Sequence, residues 1–357
     1  MPLDGHSEGF VHTKDWTQWQ DKHLQGVSRT FALTIPMLPG TLRIAVANAY
    51  LFCRIIDTIE DDAALTADQK RHHAELFLAC ISGKESPESF ATKFSRELSP
   101  STPESEKHLV HETPNLLKIH HQLPDSYTQP VERCVRIMSD GMLEFQEFET
   151  AQGLPDLLHL NRYCYHVAGV VGEMLSDLYQ VYCPALKHRG STFHQQAVAF
   201  GQGLQMTNIL KDVHTDRLRE ACWLPMDRLR AHGCDQKNAA PANHINPCYA
   251  AAMRELVGIA HGHLKHAFDY TLSIPSQEKG IRNFCLQALA MALINLRKIY
   301  HHPCYGQASE VKLSRRSVKT IITTCRLSAS QDELLRFLYH ATCRNLPHVE
   351  VQLPVTR

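Results

Sequence analysis

The stretch RIIDTIEDD (residues 54–62) sets Asp57 and Asp61 four residues apart. On a helix both carboxylates then stand on one face, one turn apart. Leu51, Phe52, Ile55 and Ile56 surround the pair, so the helix that carries it is otherwise apolar. A second stretch, NILKDVHTD (208–216), repeats the spacing with Asp212 and Asp216 behind Ile209 and Leu210. One such pair alone reads as well as a solvated acidic face. Two pairs, each preceded by polar residues on the same face, point to divalent cations, because four carboxylates near apolar surface repel one another and lose hydration. Oxygen ligands with few or no His or Cys suit Mg²⁺, and Mg²⁺ held by a few carboxylates takes substrate phosphate as its remaining partner.

Each acidic face extends beyond its aspartates. Tyr50, Arg54, Asp57 and Asp61 follow one another at steps of four, three and four, with Glu60 flanking the face and Asp62 turned from it. Arg54 can orient a metal-binding carboxylate or grip a diphosphate bidentately; a plain salt bridge one turn apart explains its spacing equally well. Gln205, Asn208, Asp212 and Asp216 make a matching stripe, preceded by AVAFGQGLQM (197–206), whose Gly201 and Gly203 permit close approach of a neighbour or ligand. Between the two lies RYCYHVAGVVGEMLSDLY (162–179). Its small-residue strip of Ala168, Gly169 and Gly172 costs roughly 1 kcal/mol per helical glycine, and either a tight helix crossing or a channel for a long apolar substrate would compensate. Tyr163 and Tyr165 stand beside that strip, and aromatic faces stabilise cations. Near the start, GVSRTFALTIPMLP (26–39) puts Ser28, Arg29 and Phe31 at a helix N-terminus, a setting that receives diphosphate. EVKLSRRSVK (310–319) supplies Lys312, Arg315 and Arg316, which by themselves read as a basic face.

Composition bounds the rest. The chain has 357 residues, 43% hydrophobic and 21% charged, with 37 basic and 37 acidic residues and no net charge. No global basic field exists to hold nucleic acid. The 12 cysteines are scattered without a CxxC pair, and they read as small buried hydrophobes of a reducing compartment rather than a disulfide framework. MPLDGHSEGF lacks the pattern of a signal peptide, and no apolar run reaches the ~18 residues of a membrane span. Helical periodicity recurs at 42–56, 131–148, 162–181, 194–213, 250–270, 281–299 and 331–342, so the expected fold is all-α, a single domain over 1–357. The segments 95–107 and 234–248 read as loops, and the end NLPHVEVQLPVTR as a polar tail.

These residues also carry a resemblance. YCYHVAGVVGEML and GQGLQMTNILKDVHTD resemble the two signature motifs of the squalene/phytoene synthases, the head-to-head prenyltransferases of the class I terpenoid fold, and VSRTF followed by YLFCRIIDTIEDD matches as well. CVRIMSDGMLEFQEF and RNFCLQALAMA add weaker agreement. The similarity runs from about residue 27 to about residue 319, and the DTIEDD form is more like the squalene synthases than like phytoene synthases. It implies a helical bundle around an apolar cavity, in which two farnesyl diphosphates condense to presqualene diphosphate and NADPH reduces the product to squalene. It implies Asp57, Glu60, Asp61, Asn208, Asp212 and Asp216 at the metal (Mg²⁺, with Mn²⁺ as an alternative). Ser28, Arg29, Tyr50, Arg54, Lys211 and Arg217 would meet diphosphate, Asn208, Lys312 and Arg315 would meet NADPH, and Tyr165 would be the aromatic at the reacting carbons. Dehydrosqualene, hydroxysqualene and phytoene synthases, which lack the NADPH step, are the alternatives within the resemblance; a non-catalytic relative would have lost carboxylates. The chain departs from the family pattern at Lys211 (usually Arg), Ala221 (usually Arg), Trp223 and His166. The membrane-anchoring C-terminal helix of eukaryotic squalene synthases is not present in the sequence. A cytoplasmic monomer of bacterial type, with peripheral membrane contact at most, is the expectation.

Overall fold

The computed structural model describes residues 14–28, 30–146, 152–234 and 246–353. Among them the regular structure is helical, with a single isolated bridge between Leu154 and Pro225. In chain order the α-helices are α1 Lys14–Val27, α2 Phe31–Thr34, α3 Gly40–Asp61, α4 Ala67–Ile81, α5 Pro87–Glu97, α6 Glu104–His111, α7 Thr113–His120, α8 Asp125–Gln146 and α9 Leu157–Cys164, then α10 Val170–Tyr182, α11 Gly190–Arg217, α12 Met226–Ala231, α13 Pro247–Ser273, α14 Lys279–His301, α15 Ala308–Val311, α16 Arg315–Ser328 and α17 Asp332–Cys343. The expected apolar periods fall inside these helices; the last two residues of the 131–148 period and the middle of the 234–248 loop lie outside the described residues. The segment 95–107 is a loop only from Leu98 to Pro103, because Glu104 already opens α6.

Contacts divide the chain into two compact units, Met1–Ser139 and Asp140–Arg357. In the first, α3 is the central element, with Leu51, Phe52 and Ile55 fully buried. Burying a helix on several sides leaves polar groups to satisfy. Here Asn48 does so, donating to the Leu116 carbonyl (3.1 Å) and accepting from Gln20 (2.6 Å), which ties α3 to α7 and α1. The start of α4 is fixed by a reciprocal capping box between Thr66 and Gln69.

In the second unit α11 is the hub, packed on α10, α13, α14 and α15. A π-helical turn, Tyr165–Gly169, joins α9 to α10. The small-residue strip turns out to be a tight helix crossing. A Cβ at Gly172 would run into the Ala197 carbonyl, and one at Gly201 into the Ala168 carbonyl, so the two backbones approach as only glycine allows.

The tail after α17 is docked rather than free. Val349 N donates to the Gly258 carbonyl (3.1 Å), His261 Nδ1 to Pro347 O (2.8 Å) and His266 Nε2 to Val351 O (3.1 Å), along a groove on α13 that a Cβ at Gly262 would fill. The reading of all cysteines as unpaired needs one correction: Cys234 and Cys248 form a disulfide, their Cα atoms 5.7 Å apart. The other ten are not in disulfides, and most of them are buried.

Candidate functional site

In the first unit, the flanks of the α3 stripe are buried while Tyr50, Arg54, Asp57 and Glu60 stay half-buried and Asp61 is exposed. Arg54 organises this face. Its Nη2 donates to Tyr50 Oη (3.3 Å), and its Nη1 lies 3.6 Å from Asp57 Oδ2 and 3.9 Å from Glu106 Oε1. Burial works against the guanidinium charge, but Asp57, Tyr50 and Glu106 together hold its pKa above the usual range. Tyr50 donates in turn to the Val27 carbonyl (3.4 Å). Ser28 Oγ accepts from Phe31 N (3.0 Å) just before α2, and the Phe31 ring lies 5.2 Å from that of Tyr50. Arg29 lies outside the described residues.

The carboxylates here carry surplus negative charge. Burial, then Asp61 and Glu106, push the Asp57 carboxyl up to about 6 despite Arg54. Burial and Asp61 push Glu60 up to about 7, although Lys70 opposes them and its Nζ donates to the Glu60 carbonyl. Asp62 does turn away. Its carboxylate accepts from Ser99 N (2.9 Å), Thr102 Oγ1 (2.6 Å) and Ala64 N (2.9 Å), and these bonds hold its pKa below the usual value against the cost of burial.

Glu106 is the residue that sequence reasoning missed. It sits on α6, beside Arg54 and Thr58, whose Oγ1 donates to Glu106 Oε2 (3.3 Å). Its segment reads as a loop in the sequence, although Pro103 immediately before Glu104 is a helix-start signal.

In the second unit, α11 carries Asn208 exposed and Asp212 and Asp216 half-buried. Lys211 Nζ donates to Asn208 Oδ1 (2.9 Å) and lies 3.1 Å from Asp212 Oδ2. Lys312, just past α15, brings its Nζ to 3.6 Å from Asp212 Oδ1, so the late basic segment does reach the acidic stripe. Tyr305 supports the stripe from below by donating to the Leu210 carbonyl (2.6 Å); burial, with Tyr249, Asp212 and Asp216 nearby, pushes its hydroxyl well up. Arg217 lies over the Tyr249 ring, 5.9 Å from its centroid. Arg315 is the first residue of α16 and is exposed.

The two candidate tyrosines are used differently. The Tyr163 ring is stacked on Trp223 at 4.0 Å and packed edge-on to Phe145. Tyr165, at the start of the π turn, donates its hydroxyl to Glu173 Oε1 (3.4 Å).

Among the described residues no group of three His, Cys, Asp or Glu is arranged to hold a metal by itself. The oxygen donors nonetheless fit a hard divalent cation that completes its shell with water and phosphate, because Asp57 and Glu60 are raised by burial and by their neighbours' charge, which a cation relieves.

Comparison with known proteins gives a consistent result. The sequence profile described as "Squalene/phytoene synthase" matches residues 24–317. Squalene synthase ERG9 of Candida albicans is 28% identical over 284 residues, 77% of this chain and 60% of that protein, so the chain spans about 60% of its length. Phytoene synthase of Thermus thermophilus is 39% identical over 116 residues, 30% of this chain and 37% of that protein. A solved complex of TcSQS with a ligand shares the fold, with a TM-score of 0.73 over 93% of this chain and 92% of that one at 20% identity.

Proposed function

The chain belongs to the squalene/phytoene synthase family, and from that membership we propose that it is a prenyl-condensing enzyme that joins two farnesyl diphosphates head to head and reduces the product to squalene. The observation that carries this reading is that each acidic stripe has cations on its own flank, Arg54 at Asp57 and Lys211 and Lys312 at Asp212. Alternating carboxylates and cations suit a ligand that is itself an anion bearing metal.

Asp57, Glu60 and Asp61 on one stripe, and Asn208, Asp212 and Asp216 on the other, would hold Mg²⁺. When bound, Mg²⁺ supplies the charge that stabilises a leaving diphosphate. Arg54 and Tyr50 would bind diphosphate oxygens on the first side, with Ser28 and Arg29 contributing from the segment before α2; Lys211 and Arg217 would do so on the second. Arg54 suits the task, since its guanidinium stays charged whatever the bound phosphate does. Ionisation leaves an allylic cation, which exclusion of water reserves for the second prenyl chain. Tyr165 would offer its ring to that cation. Closing the cyclopropane of presqualene diphosphate releases a proton, and Glu173, already accepting from Tyr165 Oη, is the carboxylate that can receive it. Lys312, Arg315 and Asn208 would hold NADPH, which supplies the hydride that ends the sequence.

A second reading stops before reduction, as in dehydrosqualene or phytoene formation, and the 39% identity to a phytoene synthase favours it over part of the chain. Incubating the protein with farnesyl diphosphate and Mg²⁺, with and without NADPH, separates the two. Squalene formed only with NADPH is the expected result. A C30 alcohol or dehydrosqualene irrespective of NADPH, or a C40 product from geranylgeranyl diphosphate, moves the chain to the second reading, and no condensation at all overturns both.

A further inference from the structure

The C-terminal helices carry a charge that the chain as a whole conceals. Residues 279–349 hold eleven Lys or Arg against three Asp or Glu, in a protein of zero net charge. From Val311 to Gln331 there is no acidic residue at all. Arg282 is buried and committed, donating to three backbone carbonyls and to Asp332 Oδ1 (2.6 Å). The others are different. Arg316, Lys319 and Arg326 on α16, and Arg336 and Arg344 on and just after α17, are exposed, and among the described residues none of these five forms an ion pair.

Large apolar side chains stand among these cations. Leu327 on α16 is 71% exposed, and Phe337 on α17 is 68% exposed, with Leu334 beside it. Both helices are amphipathic. Their opposite faces are used in packing: both helices lie on α14, with Ile321, Cys325 and Leu335 buried, and Tyr339 of α17 stacks on Phe268 of α13 at 4.2 Å. Phe337 also lines a shallow recess of about 440 Å³ together with Arg297, His340, Ala341, Arg344 and Asn345. Unpaired arginines interleaved with exposed Leu and Phe are the composition by which a helix lies in a bilayer interface, apolar groups at the acyl boundary and cations among anionic headgroups. A purely polyanionic partner would use the cations and give no role to Phe337 and Leu327.

We propose that the exposed face of α16 and α17 is a docking surface for an anionic lipid bilayer. No helix among the described residues is long and apolar enough to cross a membrane, so this contact is peripheral and reversible. It also starts beside the acidic stripe, since Lys312 at Asp212 precedes α16 by only three residues. The inference stands on surface residues alone, and a failed condensation assay leaves it untouched.

The test is co-sedimentation of the full chain with vesicles of phosphatidylcholine alone or mixed with phosphatidylglycerol, at low and raised salt. Binding is expected only to the anionic vesicles, weakening as salt screens it. Reversing Arg326, Arg336 and Arg344 to Glu should reduce partition by roughly fivefold or more per site. Leu327→Ser with Phe337→Ser should reduce it independently, at unchanged charge. A control reversal of the exposed Lys84, Lys93 and Lys118 in the first unit makes the same charge change elsewhere and should leave much the larger part of the binding. Equal binding to neutral vesicles, no binding to either, or equal loss in the control would overturn the proposal. So would binding that an RNA oligomer abolishes and that the serine variant retains, which identifies a polyanion site. All eight substituted positions are exposed, and unchanged circular-dichroism melting verifies that the variants are folded.

Discussion

Asp57 keeps 25% of its side chain exposed and has Arg54, Asp61 and Glu106 as charged neighbours, whereas Asp62, five residues on, is buried under three hydrogen bonds. Their substitutions should therefore separate. Asp57→Ala is expected to lower turnover by roughly a thousandfold, on the scale of losing a transition-state charge contact, while the unfolding midpoint in denaturant stays or rises. Asp62→Ala leaves three donors without their acceptor and should cost roughly 2–4 kcal/mol of stability, read in the same denaturant titration. The raised carboxyls also set a pH dependence. Asp57 and Glu60 bind protons more tightly folded than unfolded, at about 6 and about 7. Their contribution to stability is complete below about pH 4 and is lost as pH rises through 6 to 7. Thermal melting of the metal-free protein should show this decline, and added Mg²⁺ should reverse it most at the alkaline end. Glu106→Gln removes one of the repelling charges and should lower the apparent pKa of Asp57 in the same experiment.

At the level of elements, the crossing of the π turn and α10 with α11 shows where sequence reading stops. The Ala168–Gly169–Gly172 strip was visible as an anomaly, and periodicity placed it on a helix, but two explanations fitted it. Only the backbone positions decide between them, because a close carbonyl approach leaves no mark in one chain's own pattern. Gly172→Ala and Gly201→Ala should each destabilise by roughly 3 kcal/mol or more, since the added methyl meets backbone that cannot rotate away; a chemical denaturation midpoint within error of wild type would reject the crossing. Glu106 was illegible for a related reason. Its helix is short, and its contact with Arg54 joins residues 52 positions apart, which local spacing cannot encode. The aspartate stripes were legible because their information is local, four residues along one helix.

At the scale of the whole molecule, the helical class followed from periodicity over seven segments, and the family from two long motifs. The docked C-terminal segment did not, because its partners on α13 lie 85 or more positions away and its own composition is merely polar. Ending the chain after Asn345 removes the three hydrogen bonds to α13 and uncovers the groove at Gly258 and Gly262, which should lower stability by roughly 2 kcal/mol in calorimetry or denaturant unfolding. The central claim is that each acidic stripe, Asp57 with its flanking Arg54 and Asp212 with its flanking lysines, is needed for ionisation of the diphosphate. Its most direct test is release of inorganic pyrophosphate from farnesyl diphosphate, followed with and without Mg²⁺ in the wild type, Asp57→Ala and Asp212→Ala. Mg²⁺-dependent release by the wild type, slowed roughly a thousandfold in either variant, is the expected result. Release without a divalent cation, or at a near-normal rate from either variant, would contradict it.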